Sequence, residues 1–293
     1  AYHGVNIGGT SLSGMVKNRE TFSGLMSNIV HMRHTWLEEN RFTKGQPETG
    51  TYLADDLDRF AQTYGGTTIA ACFVEPIAGS TGVLVPPKGY LERLREICDT
   101  HGIVLVFDEV ICGFGRTGKA FAAQSFGVTP DMCTVGKIMG GGYPLAGLLG
   151  RADILSVYDR GASDDETYVN QIGTLNGNPV ACAAGLATLA VLREEGAYEK
   201  INGVGAAIRS ALVDICNENG VPVQSCGEDA IFDVYFSEVP VSNYRDTLAA
   251  DRPMMTRFNT GLLERGILKG SQKYYPSIVH TGEDVEKTIQ AIR

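Results

Sequence analysis

The sequence predicts an α/β fold: a mostly parallel sheet covered by helices, followed by a smaller α+β C-terminal domain. Two observations carry this. Between residues 68 and 151, apolar runs of strand length alternate with an amphipathic helix, and the runs are continuously apolar, as strands buried on both faces are. From residue 178 onward the pattern turns helical, with two strand-like runs set among the helices. We therefore expect a large domain over 1–189 and a small one over 190–293. No linker-like tract separates them, so they are expected to pack closely.

The elements follow in order. TIAACFVEP at 68–76 is a strand candidate. YLERLREICDTHG at 90–102 is an amphipathic helix with a glycine stop, and IVLVFDEV at 103–110 is the next strand. DMCTVGK at 131–137 and PLAGLLGR at 144–151 are further apolar runs of strand length. NPVACAAGLATLAVLREE at 178–195 is a helix with Pro179 near its start and Gly196 at its stop. A second helix covers roughly 198–218, VPVQSC and AIFDVYF are strands, a helix near 251–265 ends at Gly266, and a last one begins at 283.

Bulk properties exclude some partners. The 293 residues suffice to bury a substantial core; 43% are hydrophobic and 20% charged, as in ordinary globular enzymes. A formal charge of −9 without a basic block argues against nucleic acid as a partner. No apolar stretch is long enough for a membrane helix, and no signal peptide is visible. The seven cysteines show no metal-ligand spacing; scattered in apolar segments, they read as buried thiols of a reducing compartment, hence a cytoplasmic protein. The chain opens at Ala1 without Met, in what reads as mid-domain sequence, so the natural protein is expected to begin earlier.

The run FDEVICGFGRTGKA at 107–120 admits three readings. Gly113 to Lys119 gives G-x-x-x-x-G-K, but position 120 is Ala where a Walker loop needs a Ser or Thr for Mg²⁺. Gly113-x-Gly115-x-x-Gly118 has dinucleotide spacing, yet the strand has already ended in Asp108-Glu109 and GKAFAAQSFG is a poor, short helix. The plain reading is a loop whose glycines permit positive φ. The third reading turns to Asp108, a carboxylate at the end of a buried strand, which needs a cationic partner or becomes neutral. A structural salt bridge to an arginine would satisfy it equally well.

Lys137 is in an equally odd place, after the apolar run MCTV and before Gly140-Gly141-Gly142. We expect a buried lysine whose pKa desolvation depresses, making it nucleophilic toward carbonyls, and glycines that let backbone approach a flat ligand. A snorkelling surface lysine is the plainer alternative. Together Asp108 and Lys137 point to pyridoxal 5'-phosphate, which needs a lysine for its aldehyde and a carboxylate for its ring nitrogen. It also needs a phosphate cradle, usually at a helix N-terminus. GTLNGNP at 173–179, before a helix, supplies Thr174 for that purpose, though it would also serve as a turn.

FDEV through GFGRTG, the lysine of TVGK, and GTLNGNPVACAAG together resemble the class III pyridoxal-phosphate-dependent aminotransferases. The resemblance spans nearly the whole chain and implies the fold-type I transferase architecture. AYHGVNIGGTSLSG at 1–14, GQPETGTYLADDL at 45–57 and EPIAGSTGVLVPPKGYLERLREICDTHGI at 75–103 look most like the ω-amino-acid:pyruvate branch. GKIMGGGYPLAGLLGR, YVNQIGTLNGNP and LLERGILKGSQ are closer to glutamate-1-semialdehyde aminomutase.

The resemblance implies roles. Lys137 would form the Schiff base, Asp108 would pair with the ring nitrogen, and Tyr2 and Val110 would press on opposite faces of the ring. Thr174 would contact the phosphate, commonly that of a neighbouring subunit in a homodimer, and Glu75 would line the site. His3 is read as structural, and Arg116 as serving packing or an interface. The implied activity moves an amino group from an ω-amino acid or amine, β-alanine-like, to a keto acid such as pyruvate; the alternative is an aminomutase-like shift within one molecule. Two features depart from the family. Its glycine-rich phosphate loop lies upstream of the YHG motif, and GSQKYYPSIVHTGED carries Lys273 but no arginine for a substrate carboxylate.

Overall fold

The computed structural model describes residues 1–40, 45–240, 244–271 and 273–293; Gln272, in the quoted run LLERGILKGSQ, lies outside them. The chain begins with two short helices, α1 (Ile7–Leu12) and α2 (Val16–Arg19), then α3 (Asp55–Tyr64). The sheet region follows: β1 (Ala71–Val74), α4 (Tyr90–His101), β2 (Val104–Asp108), α5 (Ala122–Phe126), β3 (Met132–Val135), β4 (Gly147–Gly150) and α6 (Ala152–Leu155). The remainder is α7 (Pro179–Leu192), α8 (Ala197–Glu218), β5 (Val223–Glu228), β6 (Ile231–Phe236), α9 (Tyr244–Ala249), α10 (Arg252–Glu264) and α11 (Gly282–Ile292).

The main sheet has the order β1-β2-β3-β4. β1 and β2 pair in parallel from Ala71↔Val104 to Val74↔Phe107, and β2 and β3 in parallel from Val106↔Met132 to Asp108↔Thr134. The continuous apolar runs are explained by burial on both faces: Leu105 and Phe107 are fully buried, and Val106 between them nearly so. Each such side chain stabilises the fold by roughly 1.5–3 kcal/mol relative to exposure. α4 covers one face with Tyr90, Leu91, Leu94, Ile97 and Cys98, the stripe that a 3.6-residue period aligns. Gly102 ends it at φ 69°, as the glycine stop predicts.

β4 departs from the rest by running antiparallel to β3, from Met132↔Gly150 to Val135↔Gly147. A parallel return needs a crossover of a dozen residues or more, usually through a helix. The segment 136–146 holds only a single 3₁₀ turn, Lys137–Gly140, so the chain doubles back.

The C-terminal part packs α8, α10 and α11 against the antiparallel pair β5–β6. Its core gathers Ile208, Leu212, Phe232, Val234 and Phe236. The loop after β2 meets this part directly. The Arg116 Nη1 donates to the carbonyls of Ala230 at 2.7 Å and Pro276 at 2.9 Å, and its guanidinium lies over the Tyr275 ring. Arg116 therefore joins the two parts within the chain.

All seven cysteines are free thiols; six are buried and Cys182, on α7, is half-buried. Among the described residues no helix is long and apolar enough to cross a membrane.

Candidate active site

Parallel pairing brings three chain positions to one edge of the sheet. Glu75 follows β1, Asp108 ends β2 and Lys137 follows β3 by two residues, all at the strand carboxyl ends. In open parallel sheets that edge is where ligands bind.

Asp108 is largely enclosed, its side chain only 13% exposed. Its Oδ2 lies 2.8 Å from His3 Nδ1, and its Oδ1 accepts from the Val110 N–H at 3.1 Å and the Thr134 hydroxyl at 3.0 Å. Burial alone would raise its pKa. The hydrogen bonds from His3, Val110 and Thr134 outweigh burial and hold the carboxyl below the ordinary range. An ionised carboxylate is thus maintained here without a guanidinium or ammonium partner.

The neighbouring Glu109 behaves in the opposite way. It is fully buried, its oxygens accept the N–H groups of Ala122 and Ala123 at 2.9 and 2.8 Å, and burial pushes its pKa up. Glu109 anchors the start of α5 and so closes the loop 110–121. Within that loop Gly115 and Gly118 have φ of 99° and 82°, and Gly115 N–H bonds back to Lys119. The glycines shape a turn, as the plain reading of FDEVICGFGRTGKA expects, and α5 is too short to open a nucleotide site.

Val110 does two things: its amide holds Asp108, and its side chain lies 3.5 Å from where a Cβ on Gly136 would stand. It therefore reaches the residue preceding Lys137. Lys137 itself is held at φ 48°, in the left-handed region that costs a non-glycine residue of order 1 kcal/mol. Among the described residues its amine makes no hydrogen bond or ion pair.

Three expectations need correction. Lys137 is exposed in the single chain rather than buried, because it lies beyond the end of β3 at an open sheet edge. Within the glycine run Gly141 serves helix packing, since a Cβ there would meet Thr188 Oγ1 at 2.4 Å and Ala184 O at 3.0 Å, both on α7, whereas a Cβ on Gly142 would meet nothing within 4 Å. The N-terminus of α7 is already capped, since Asn178 Oδ1 accepts from Val180 and Ala181 and Pro179 has no N–H. It therefore has few donors left for a phosphate.

The remaining positions divide. Glu75 is buried; its Oε2 accepts the Gly79 N–H at 3.1 Å and its Oε1 the nitrogen of Ala1. Tyr2 is half-buried beside His3, hence close to the Asp108 end. Thr174 is exposed, and among the described residues no hydrogen bond ties it to Asp108 or Lys137. Sequence reasoning set His3 aside and did not weigh Thr134. The signal for His3 was its adjacency to Tyr2 in YHG; for Thr134, its position three residues before Lys137.

A carboxylate kept charged without a fixed cation, a free amine on strained backbone, and Val110 between them fit a cofactor with an aldehyde and a basic ring nitrogen. Comparison with known proteins gives the same class. The family description "Aminotransferase class-III" matches residues 1–292. The omega-amino acid–pyruvate aminotransferase of Pseudomonas putida is 46% identical over 214 residues, covering 72% of this chain and 48% of that protein. Glutamate-1-semialdehyde 2,1-aminomutase 2 of Brevibacillus brevis is 38% identical over 229 residues, covering 77% and 52%. A thermostable omega transaminase 4-fold mutant from Pseudomonas jessenii superimposes with a TM-score of 0.81 at 27% identity, covering 100% of this chain and 65% of that one. The chain spans about half the length of the curated relatives it matches. Class III aminotransferases depend on pyridoxal 5'-phosphate. The match over 1–292 makes this chain a member of the class III aminotransferase family.

Proposed function

We propose that the chain serves an ω-transaminase, moving an amino group from an ω-amino acid or amine such as β-alanine to a keto acid such as pyruvate. The observation that carries this reading is the ionised Asp108 placed next to Val110 and the unpartnered Lys137 at one sheet edge. The names of the Pseudomonas putida relative and the other matched transaminases supply the substrate class.

Lys137 Nζ would hold the cofactor's aldehyde carbon, and Asp108 would hold a proton on its ring nitrogen. Val110 and Tyr2 would take the ring faces, Glu75 would line the site, and Thr174 would meet the phosphate of a partner subunit. When bound, pyridoxal phosphate supplies an electron sink for the bonding pair released at the amine-bearing carbon. With the donor amine in its place, Lys137 Nζ would take the proton from that carbon and deliver it to the carbon that had been the cofactor's aldehyde, a general base and then acid. His3 and Thr134 keep Asp108 oriented and charged while this happens.

A homodimer belongs to the same reading. Ile172, Leu175, Val180 and Leu186 are 57–77% exposed on α7 and the loop before it, an apolar face that a second copy would cover. Domains of 1–189 and 190–293, joined at Arg116, and a cytoplasmic setting with reduced buried cysteines complete it.

The test is the visible spectrum of the protein with added pyridoxal phosphate, before and after β-alanine, for wild type and Lys137→Ala. An absorption band that β-alanine bleaches, and that Lys137→Ala lacks, is expected. A spectrum unchanged by the substitution would sink the reading. The Brevibacillus brevis relative favours a second reading, an amino shift within one molecule. Product analysis separates the two: a mutase needs no keto acid and leaves no second product.

A further inference from the structure

Among the described residues only three other than glycine hold left-handed backbone: Val83 at φ 61°, Phe114 at 58° and Lys137 at 48°. Each lies in the segment that leaves one strand of the main sheet, β1, β2 and β3 in turn, at the edge where Glu75, Asp108 and Lys137 stand. A Cβ makes that backbone unfavourable, most of all on a β-branched or bulky residue, so surrounding contacts must hold it in place.

For Val83 and Phe114 those contacts converge on one short piece of the C-terminal part, Cys226–Ile231, where β5 turns into β6. Val83 is buried in one cluster with Ile231, and a Cβ on Gly227 would come within 3.0 Å of its Cγ1. The Cys226 thiol donates to the carbonyl of the adjoining Gly82 at 3.3 Å. Phe114 is buried in a cluster with Ala230, and Arg116, two residues on, donates to the Ala230 carbonyl at 2.7 Å.

The same two loops hold the site. The Gly79 N–H donates to Glu75 Oε2 at 3.1 Å, and the Gly79 carbonyl accepts the Val83 N–H at 3.4 Å. The Val110 N–H donates to Asp108, and the loop that Val110 opens is closed by the Phe114 N–H on the Ala120 carbonyl at 2.6 Å. The loops also touch each other: a Cβ on Gly79 would meet Ile111 Cγ2 at 2.8 Å, and Val83 shares its cluster with Cys112. A turn gripped by both loops therefore fixes where Glu75 and Val110 stand.

We propose that Val83 and Arg116 are positioning residues for the active site: by gripping the β5–β6 turn they hold the loops that place Glu75 and Val110, so the seating of the C-terminal part sets the geometry of the sheet edge. The positioning itself stands on these contacts; its consequence for the cofactor rests on the transaminase reading.

Amide hydrogen exchange without cofactor, followed by titration with pyridoxal phosphate, tests both halves. In Arg116→Met and in Val83→Ala the Gly79 and Val110 amides should exchange at least about fivefold faster than in wild type. Asp131→Ala, which weakens the opposite edge of the sheet, should leave those two amides unchanged. Per folded molecule, both variants should bind pyridoxal phosphate at least about fivefold more weakly and shift the pH midpoint of its visible band by about half a unit or more. Arg116→Lys, whose ammonium still donates to a carbonyl, should recover most of both. Thermal melts establish which variants are folded, and Val83→Ala carries the test should Arg116→Met not fold. The proposal is overturned if the Gly79 and Val110 amides keep their wild-type rates, or if Asp131→Ala speeds them equally. It is overturned as well if the variants bind the cofactor with wild-type affinity and midpoint. A wild-type chain that gives no band sinks the transaminase reading instead, and the exchange rates still decide the positioning.

Discussion

Two aspartates at opposite ends of the same sheet are held in contrasting ways. Asp131, just before β3, is buried; Arg95 Nη1 at 2.8 Å and the Leu105 N–H at 2.8 Å share its Oδ2, while Arg151 Nη1 at 2.9 Å takes its Oδ1. Asp108, at the end of β2, has one histidine and two neutral donors. Both carboxyls titrate below the ordinary range, yet only Asp131 has permanently charged partners. The N-terminal edge is closed by guanidinium pairs that hold β2, β3 and α4 together. The C-terminal edge keeps an anion charged with only a histidine and neutral donors against it, and the lysine at the same edge makes no hydrogen bond or ion pair among the described residues. A closed ion network serves stability; an incompletely neutralised one retains capacity for a ligand.

Breaking each end should therefore cost different things. Lys137→Ala is expected to have the largest effect, lowering transamination by about three orders of magnitude or more while shifting the urea midpoint little, since among the described residues the exposed Lys137 amine makes no hydrogen bond or ion pair. Steady-state rates beside urea denaturation check both halves. Asp108→Asn comes next: we expect a loss of about a hundredfold or more in turnover, with stability changed by less than about 1.5 kcal/mol, because an amide oxygen can still accept from Val110 and Thr134. Should Asp108→Asn unfold the chain while turnover per folded molecule stays the same, the two aspartates would be doing the same job.

Asp131→Ala should show the reverse pattern. It strands the Leu105 N–H and the partly buried Arg95, so we expect about 2 kcal/mol less stability, read from the urea midpoint, and an unaltered cofactor spectrum per folded molecule. The smallest effect is pH dependence. Carboxyls with depressed folded pKa values contribute stability above their unfolded value, near ~4, and that contribution is lost as pH falls through the folded value. Glu109, raised by burial, works the other way and loses its relative contribution as pH rises. Urea midpoints between pH 6 and 3 should fall with acid in wild type and fall less steeply in Asp131→Ala.

Much of this was legible in the sequence. Apolar runs located β1, β2 and β3, helical periodicity with Gly102 as its stop bounded α4, and the odd positions of Asp108 and Lys137 drew attention to the edge. Gly196, read as the stop of α7, instead caps the start of α8, α7 having ended at Leu192. What stayed hidden depends on contacts between distant segments. His3 reaches Asp108 across 105 positions, and no local pattern announces that. Gly141 looked like room for a ligand because its real neighbours, Thr188 and Ala184, belong to a helix more than forty residues on. The direction of β4 followed from the brevity of its connection, which the apolar pattern of PLAGLLGR does not encode. Glu109 read as half of a charged pair, whereas it lies past the end of β2, fully buried, and accepts the N–H groups of Ala122 and Ala123.

The distribution of the cysteines gives the chain a built-in label. Burial lifts the thiols of Cys112, Cys133, Cys216 and Cys226, a hydrogen bond with Cys98 together with burial lifts that of Cys72, and all five are removed from contact with reagents. Cys182 alone is part-accessible, one turn from the exposed Leu186 on α7. A fluorophore or spin label attached through sulfur thus marks a single position, on the helix that carries the exposed apolar side chains Val180 and Leu186, and its signal would report whether a second copy covers them, without any engineered residue.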